Sequence, residues 1–312
     1  MIYIRLIGRR LLASALLVAC VVSVSWSLTV AAPGSRVAAG QGGLFLDEAL
    51  AEPERQAQGG LVSWWRAAVT LDFGFSTRYR RPVLPLVAQR ARNSVLLGTS
   101  ALLVSLAIGL PLGFASGAGH RWAAQLIRGC SVLCLSCPPL VLAMVLTWAA
   151  VRQGWSLGSA GTGDVPGGQH GVGQTLRALA LPTLALAIPL AATFERLQSR
   201  ALARVVDEPW LTAVAARGLG TLVLWRHAWR AALPPVASVG GVIAGAILSG
   251  ALAVEVITGW PGLGRLTFDA LVARDTALVA GCAAVTSLMV SVAALASDLI
   301  VAWADPRARS AA

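Results

Sequence analysis

The feature that most limits this chain is a succession of apolar runs near bilayer-crossing length, separated by segments whose charge is mostly arginine. The runs extend from Leu11 to about Val30, Asn93 to about Ser116, Leu126 to Val151, Leu176 to Phe194, Pro234 to Ile257 and Ala277 to Trp303. A spanning helix needs about 20 such residues. Hydrocarbon offers the backbone no hydrogen-bond partners, so runs of this kind must close their own bonds as helices. Hydrophobic residues make up 56% of the chain and charged residues 12%, where a soluble domain carries about 25% charged. The expectation is an all-α membrane protein with six transmembrane helices.

Charge sets the orientation. The net charge is +11, and all 25 basic residues are arginine. In a soluble protein such a balance would suggest nucleic acid. Here the arginines flank apolar runs, no zinc-finger spacing occurs, and no aromatic residues alternate with basic ones for base stacking. Membrane lipid is therefore the expected contact, and nucleic acid is not. Arg5, Arg9 and Arg10 hold the N-terminus in the cytoplasm. The strongly basic segment Arg196 to Gly241 carries Arg196, Arg200, Arg204, Arg217, Arg226 and Arg230 and belongs on the same side. Six spans then return a basic C-terminus, with Arg307 and Arg309, to the cytoplasm.

The expected divisions are a first transmembrane helix at 1–30, an extracytoplasmic segment at 31–92 and a core of five spans at 93–312. The core includes a cytoplasmic loop at 196–234. The segment at 31–92 is long enough to cross despite its arginines, and Leu61-Val62-Ser63-Trp64-Trp65 reads as an interfacial helix. Arg9-Arg10 and Ala31-Ala32 also fit an export signal and its cleavage site, but the apolar run between them is nearly a full span.

Reactive constellations are scarce. Without lysine, the chain lacks a nucleotide-binding P-loop. No Ser-His-Asp set or metal-ligand cluster is evident, so no catalytic residue, metal site or cofactor is expected. Cys130, Cys134 and Cys137 recur at i, i+4, i+7 on one helix face, but no histidine or acid stands beside them. Buried thiols are ordinarily small hydrophobes. Asp72-Phe73-Gly74 lacks the loops that accompany this triplet in kinases. Pro138-Pro139 inside the third run fits a pore-lining break or a packing kink equally. Gly241, Gly245 and Ser249 form small-xxx-small spacings suited to close helix contact. Glu255 at membrane depth is a functional candidate, or else reaches the interface or pairs with Arg265. Asp298 lies in an otherwise apolar run.

Within the basic segment, Thr212-Ala213-Val214-Ala215-Ala216-Arg217-Gly218 precedes Arg226-His227-Ala228-Trp229-Arg230-Ala231-Ala232-Leu233-Pro234. This resembles the cytoplasmic EAA loop of ABC-importer permeases, in the form found in the dipeptide/oligopeptide/nickel family. Leu71-Asp72-Phe73-Gly74-Phe75-Ser76 with Arg81-Pro82-Val83-Leu84 resembles that family's element before its second span. Glu255, Trp260-Pro261-Gly262-Leu263-Gly264-Arg265-Leu266, Asp269-Ala270 and Arg274-Asp275 resemble its outer signature, in the version of the first, "B-type" permease subunit. The tail Asp305-Pro306-Arg307 matches in kind. Two departures stand out: Thr212 occupies the usual acidic position, and Leu219 to Trp225 is apolar where the family is charged.

The resemblance implies the type I ABC-importer permease fold with both termini cytoplasmic, and a coupling helix at 205–218. Asp207, Thr212, Ala213, Ala216, Arg217 and Gly218 would form the ATPase-coupling site, and Glu255, Trp260, Pro261, Gly262, Gly264 and Arg265 the outer gate. It implies as partners a second permease subunit, two cytoplasmic ABC ATPases and an extracytoplasmic substrate-binding protein. The cargo implied is a peptide, a nickel chelate or another small solute. A secondary transporter would show inverted repeats and embedded ion ligands, and a membrane-embedded enzyme a cluster of reactive side chains within its spans. Neither pattern is evident. A membrane scaffold would differ by failing to co-purify with ATPases.

Overall fold

The computed structural model describes residues 8, 12–21, 23, 24, 27, 65, 72–118, 121–154, 172–218 and 220–304. Among them the backbone is helical apart from turns and one isolated bridge, Phe75 to Pro82. In chain order, α1 is Leu12–Val21, α2 Val83–Ala118, α3 Arg121–Ser136 and α4 Pro139–Arg152. Next come α5 Val172–Val206, α6 Pro209–Ala216, α7 Thr221–Ala232 and α8 Pro234–Ala237. The last are α9 Gly240–Thr258, α10 Leu263–Val272 and α11 Thr276–Ala304. Most of the first run beyond Val21, the Leu61–Trp65 segment apart from Trp65, the Gly-rich loop with Asp164 and His170, and the tail from Asp305 lie outside the described residues. Among the described residues, three helices are long and apolar enough to cross a membrane, or up to five if each of two bent pairs is one span.

The chain divides into two compact units. The first comprises Tyr3–Val95 and Pro261–Val292. Its core gathers Phe73, Val83, Val87, Leu263, Leu266, Ala270 and Leu278. A turn ahead of α2 is closed by Ser76 N–H to the Arg81 carbonyl and Val83 N–H to the Gly74 carbonyl, both at 2.9 Å. Gly74 takes φ 72°, which suits glycine. Asp275 ties this turn to α11. Its Oδ1 accepts from the Leu278 N–H at 3.1 Å, capping α11, and its Oδ2 accepts from the Ser76 hydroxyl at 2.6 Å and the Arg78 N–H at 3.2 Å. The carboxylate is buried, and these donors replace the water it loses. Two stretches of the sequence resemblance, 199 positions apart, thus meet in one hydrogen bond.

The second unit comprises Leu96–Trp260 and Ala293–Ala312. Its centre is the seam between the later part of α2 and α5. Gly109, Gly113 and Gly117 recur every four residues along one face of α2. A Cβ at Gly109 would stand 2.5 Å from the Ala191 carbonyl oxygen, one at Gly113 2.6 Å from Gln198 Cβ, and one at Gly117 3.0 Å from Leu202 Cδ2. Only glycine lets the backbones approach this closely, as in membrane helix pairs generally. Side chains then fill the flanks: Leu97, Ala143, Leu186, Val254 and Trp260 in one cluster, Phe194, Val236, Ile243 and Ile247 in another.

Several sequence boundaries move. The second span begins as a helix at Val83, not Asn93. Arg90 and Arg92 end the apolar pattern there but not the helix. The third run is not one rod: the axis turns by 95° between Trp122–Ser136 and Pro139–Arg152. Pro138 is extended (φ −59°, ψ 143°), and the two prolines supply no N–H to continue α3. The Pro138 carbonyl instead accepts from Val141 and Leu142 and starts α4. Pro182 and Pro189 do not end α5, which runs 35 residues and carries Arg196, Arg200 and Arg204 on a helix rather than a loop. The fifth run starts with the separate turn α8 before α9.

Two measurements check these packings. Gly109→Val should overpack the α2–α5 seam and cost about 1–3 kcal/mol, while Gly129→Ala, where a Cβ meets nothing within 4 Å, should be neutral in the same detergent-unfolding titration. Asp275→Ala removes a cap and leaves the Ser76 hydroxyl buried without its acceptor, costing about 2 kcal/mol. Asp275→Asn, which keeps an acceptor for Leu278, should lose less.

Candidate functional site

The segment after α5 forms a short helix between two turns. Val206 ends α5, Glu208 is extended (φ −76°, ψ 133°), and Pro209 opens α6, where its missing N–H removes no helix bond. The eight residues of α6 end at Ala216, Arg217 caps them, and Gly218 turns the chain out at φ 76°. A Cβ at Gly218 would meet nothing within 4 Å, so the demand for glycine is conformational rather than steric.

One residue of α6 faces inward. Leu211 is buried with Ala201 and Leu202 of α5 and Ala228 and Ala232 of α7. Phe114, from α2, packs on the same cluster and meets the rings of Trp225 and Trp229 at 5.4 and 5.2 Å. The opposite side is bare: Asp207, Thr212, Ala213, Ala216, Arg217 and Gly218 are all exposed. The Thr212 hydroxyl donates to the Pro209 carbonyl at 2.7 Å, so the residue in the usual acidic position is bonded within its own helix. The apolar stretch before Arg226 is also accounted for. Leu224 and Trp225 pack against the Leu211 cluster, while Leu222 is 83% exposed and Val223 exposed beside it. His227 Nδ1 donates to the Val223 carbonyl at 2.8 Å.

The outer signature lies deeper than its motif alone suggests. In the second unit, Glu255 is fully buried and Trp260 sits in the core with Leu97, Ala143 and Val254. Gly259 ends α9 at φ 75°. In the first unit, Pro261 and Gly262 are buried, while Gly264 and Arg265 are half-buried. The Asn93 amide donates to the Pro261 carbonyl at 2.8 Å, and the Leu263 N–H donates to the Ser94 hydroxyl at 2.7 Å. Those bonds fix the turn that begins α10. On the outward side of α10 stand Phe268, Leu271 and Val272, all exposed.

The sequence reading passed over one buried polar group. Glu195 of α5 is fully buried and accepts from the Ser116 hydroxyl at 2.5 Å. Gln198, one turn on, is also fully buried. Arg128 of α3 donates to the Ser116 carbonyl at 2.9 Å. The rule that singled out Glu255 applies equally to Glu195, a carboxylate ending the apolar run from Leu176. Its place beside the arginines made it look like part of a solvated loop. Cys130 is exposed, and Cys134 and Cys137 are half-exposed.

Comparison with known proteins bears on the whole core. Residues 109–310 match the family model described as "Binding-protein-dependent transport system inner membrane component". The chain is 32% identical over 262 residues to the oligopeptide transport system permease protein OppB of Mycobacterium bovis, covering 80% of this chain and 79% of that protein. It is 29% identical over 245 residues to the glutathione transport system permease protein GsiC of Escherichia coli O1:K1, covering 78% and 76%. It is 27% identical over 267 residues to the putrescine export system permease protein SapB of Escherichia coli K12, covering 78% and 83%. With a family match across most of its core and helices of spanning length, this mostly helical, multi-pass plasma-membrane protein belongs to the binding-protein-dependent transport system inner membrane components.

Proposed function

We propose that this chain is the B-type transmembrane subunit of an ATP-driven, binding-protein-dependent importer, and that α6 is the lever through which separate ATPases move it. The observation that carries the reading is the two-sidedness of α6. A helix of eight residues is too short to be stable alone. Leu211 roots it in a cluster drawn from α2, α5 and α7, while its other face, with Thr212, Ala213, Ala216 and Arg217, meets solvent. Small side chains on that face allow close approach by a groove on an ATPase. A push on α6 would reach α2 and α5 through Leu211, Phe114 and Leu202, because close-packed side chains transmit displacement.

In this reading the ATP chemistry belongs to two cytoplasmic partners, and this subunit contributes half of a path that alternates between inward and outward access. A second permease subunit, different in sequence, supplies the other half. The exposed Val242 and the open space beside Gly245 leave that part of α9 free for close helix contact. An extracytoplasmic binding protein delivers cargo at the surface near α10. The relatives' names favour a peptide as cargo, with nickel or another small solute as the alternative.

Two experiments test the lever. In the complex assembled in nanodiscs, a cysteine at Ala213 or Ala216 should crosslink to one placed in the ATPase groove, with a yield that changes on nucleotide binding. No crosslink in a transport-active complex would remove α6 from the coupling path. Leu211→Ala should cost about 2–3 kcal/mol of local packing. Insertion should survive, while substrate-stimulated ATP hydrolysis falls several-fold toward the basal rate. Full stimulation in that variant would show that the force does not pass through Leu211.

A further inference from the structure

We propose that the seam between α2 and α5 holds an internal water site, built from Glu195, Gln198 and Ser116 and facing Arg128 of α3. Glu195 and Gln198 are both fully buried, on one face of α5. The Ser116 hydroxyl satisfies Glu195 Oε1, but Glu195 Oε2, Gln198 Oε1 and Gln198 Nε2 have no hydrogen-bond partner. Three such atoms within one helix turn would be costly if dry, since a buried polar atom without a partner has lost its bonds to water and gained none in return. Buried Asp275, by contrast, accepts three hydrogen bonds.

The mixture of orphaned groups identifies the ligand. Two are acceptors and one is a donor. A metal cation would satisfy the oxygens and leave the amide N–H₂ stranded, and an anion would be repelled by the carboxylate. Water both donates and accepts, and buried waters typically make about three bonds to groups of this kind. The charged groups around the site agree. Arg128, the cation facing it from α3, already binds the carbonyl of Ser116, whose hydroxyl binds Glu195. An arginine and a carboxylate are thus held at two ends of one serine, and water gives the carboxylate its second contact. The close backbone approach at Gly113 walls the site on the α2 side.

This has a mechanical consequence that does not depend on what the subunit transports. A dry glycine seam resists sliding because every displacement opens a void. A hydrated polar patch within it exchanges one hydrogen bond for another as the helices shift. Gln198 lies one turn from Leu202 and Ser116 two residues from Phe114, both in the cluster that roots α6.

The test exploits the opposite signs expected of a wet and a dry site. Gln198→Leu in the purified subunit, kept in lipid nanodiscs with the partners it carries, should lower the thermal midpoint by roughly 2–4 °C, because water bonded to Gln198 loses its partners. If the site is dry, the same change replaces an unsatisfied amide by an apolar group of similar size and the midpoint rises, which would overturn the proposal. Should Gln198→Leu fail to insert, Gln198→Met is read in the same way. A direct check is an experimental map at about 2 Å or better. Ordered solvent density within hydrogen-bond reach of Glu195 Oε2 and the Gln198 amide is expected, and clean absence of it would also overturn the site.

Discussion

The close approach of α2 and α5 is the contact on which the second unit depends. It is made by absence of side chain: three glycines, one turn apart, bring α2 against Ala191, Gln198 and Leu202. Between helices in a membrane the hydrophobic effect contributes little, because lipid is as apolar as leucine. Dispersion across a void-free seam must then supply much of the association. The Leu211 cluster follows from this seam. Phe114 reaches Trp225 and Trp229 only because α2 lies close against α5, and α6 is held by that same group of side chains.

The first unit is organised by a different means. Its apolar core is ordinary, but its specificity rests on Asp275, whose two oxygens bind groups from the turn before α2 and from the first turn of α11. A buried carboxylate satisfied by a hydroxyl and backbone N–H groups fixes one register and penalises others. Asn93 and Ser94 act in the same way on the turn that starts α10. The motifs at Asp72–Pro82, Trp260–Arg265 and Arg274-Asp275 are in large part the joints of the structure. Ser76, Trp260, Pro261, Gly262 and Asp275 are buried in them, while Arg78, Arg81 and Arg274 remain exposed.

Much of the architecture was legible beforehand. Apolar runs of span length identified membrane helices, and the last run, from Ala277, coincides with α11 to within a residue. The EAA-like segment from Thr212 pointed to α6. Missed features share one cause: hydropathy reports solvent preference, not backbone geometry. It placed the start of α2 ten residues late, at Asn93 rather than Val83, because arginine is helix-compatible though not apolar. Nor does it separate Pro182 and Pro189, which sit within a continuous α5, from Pro138-Pro139, where the chain turns by 95°.

What the sequence by itself determined is the solvent and the secondary structure. A chain with 56% hydrophobic residues in span-length runs has no means of satisfying its backbone in lipid other than helices. Only the tertiary structure decided which polar groups those helices bury. Glu195 looked like the edge of a basic loop, and Leu211 like one apolar residue among several. Packing turned the first into a buried carboxylate beside Ser116 and the second into the anchor of α6. Those outcomes depend on which helix faces meet, and they are set by glycines whose effect appears only when another backbone arrives beside them.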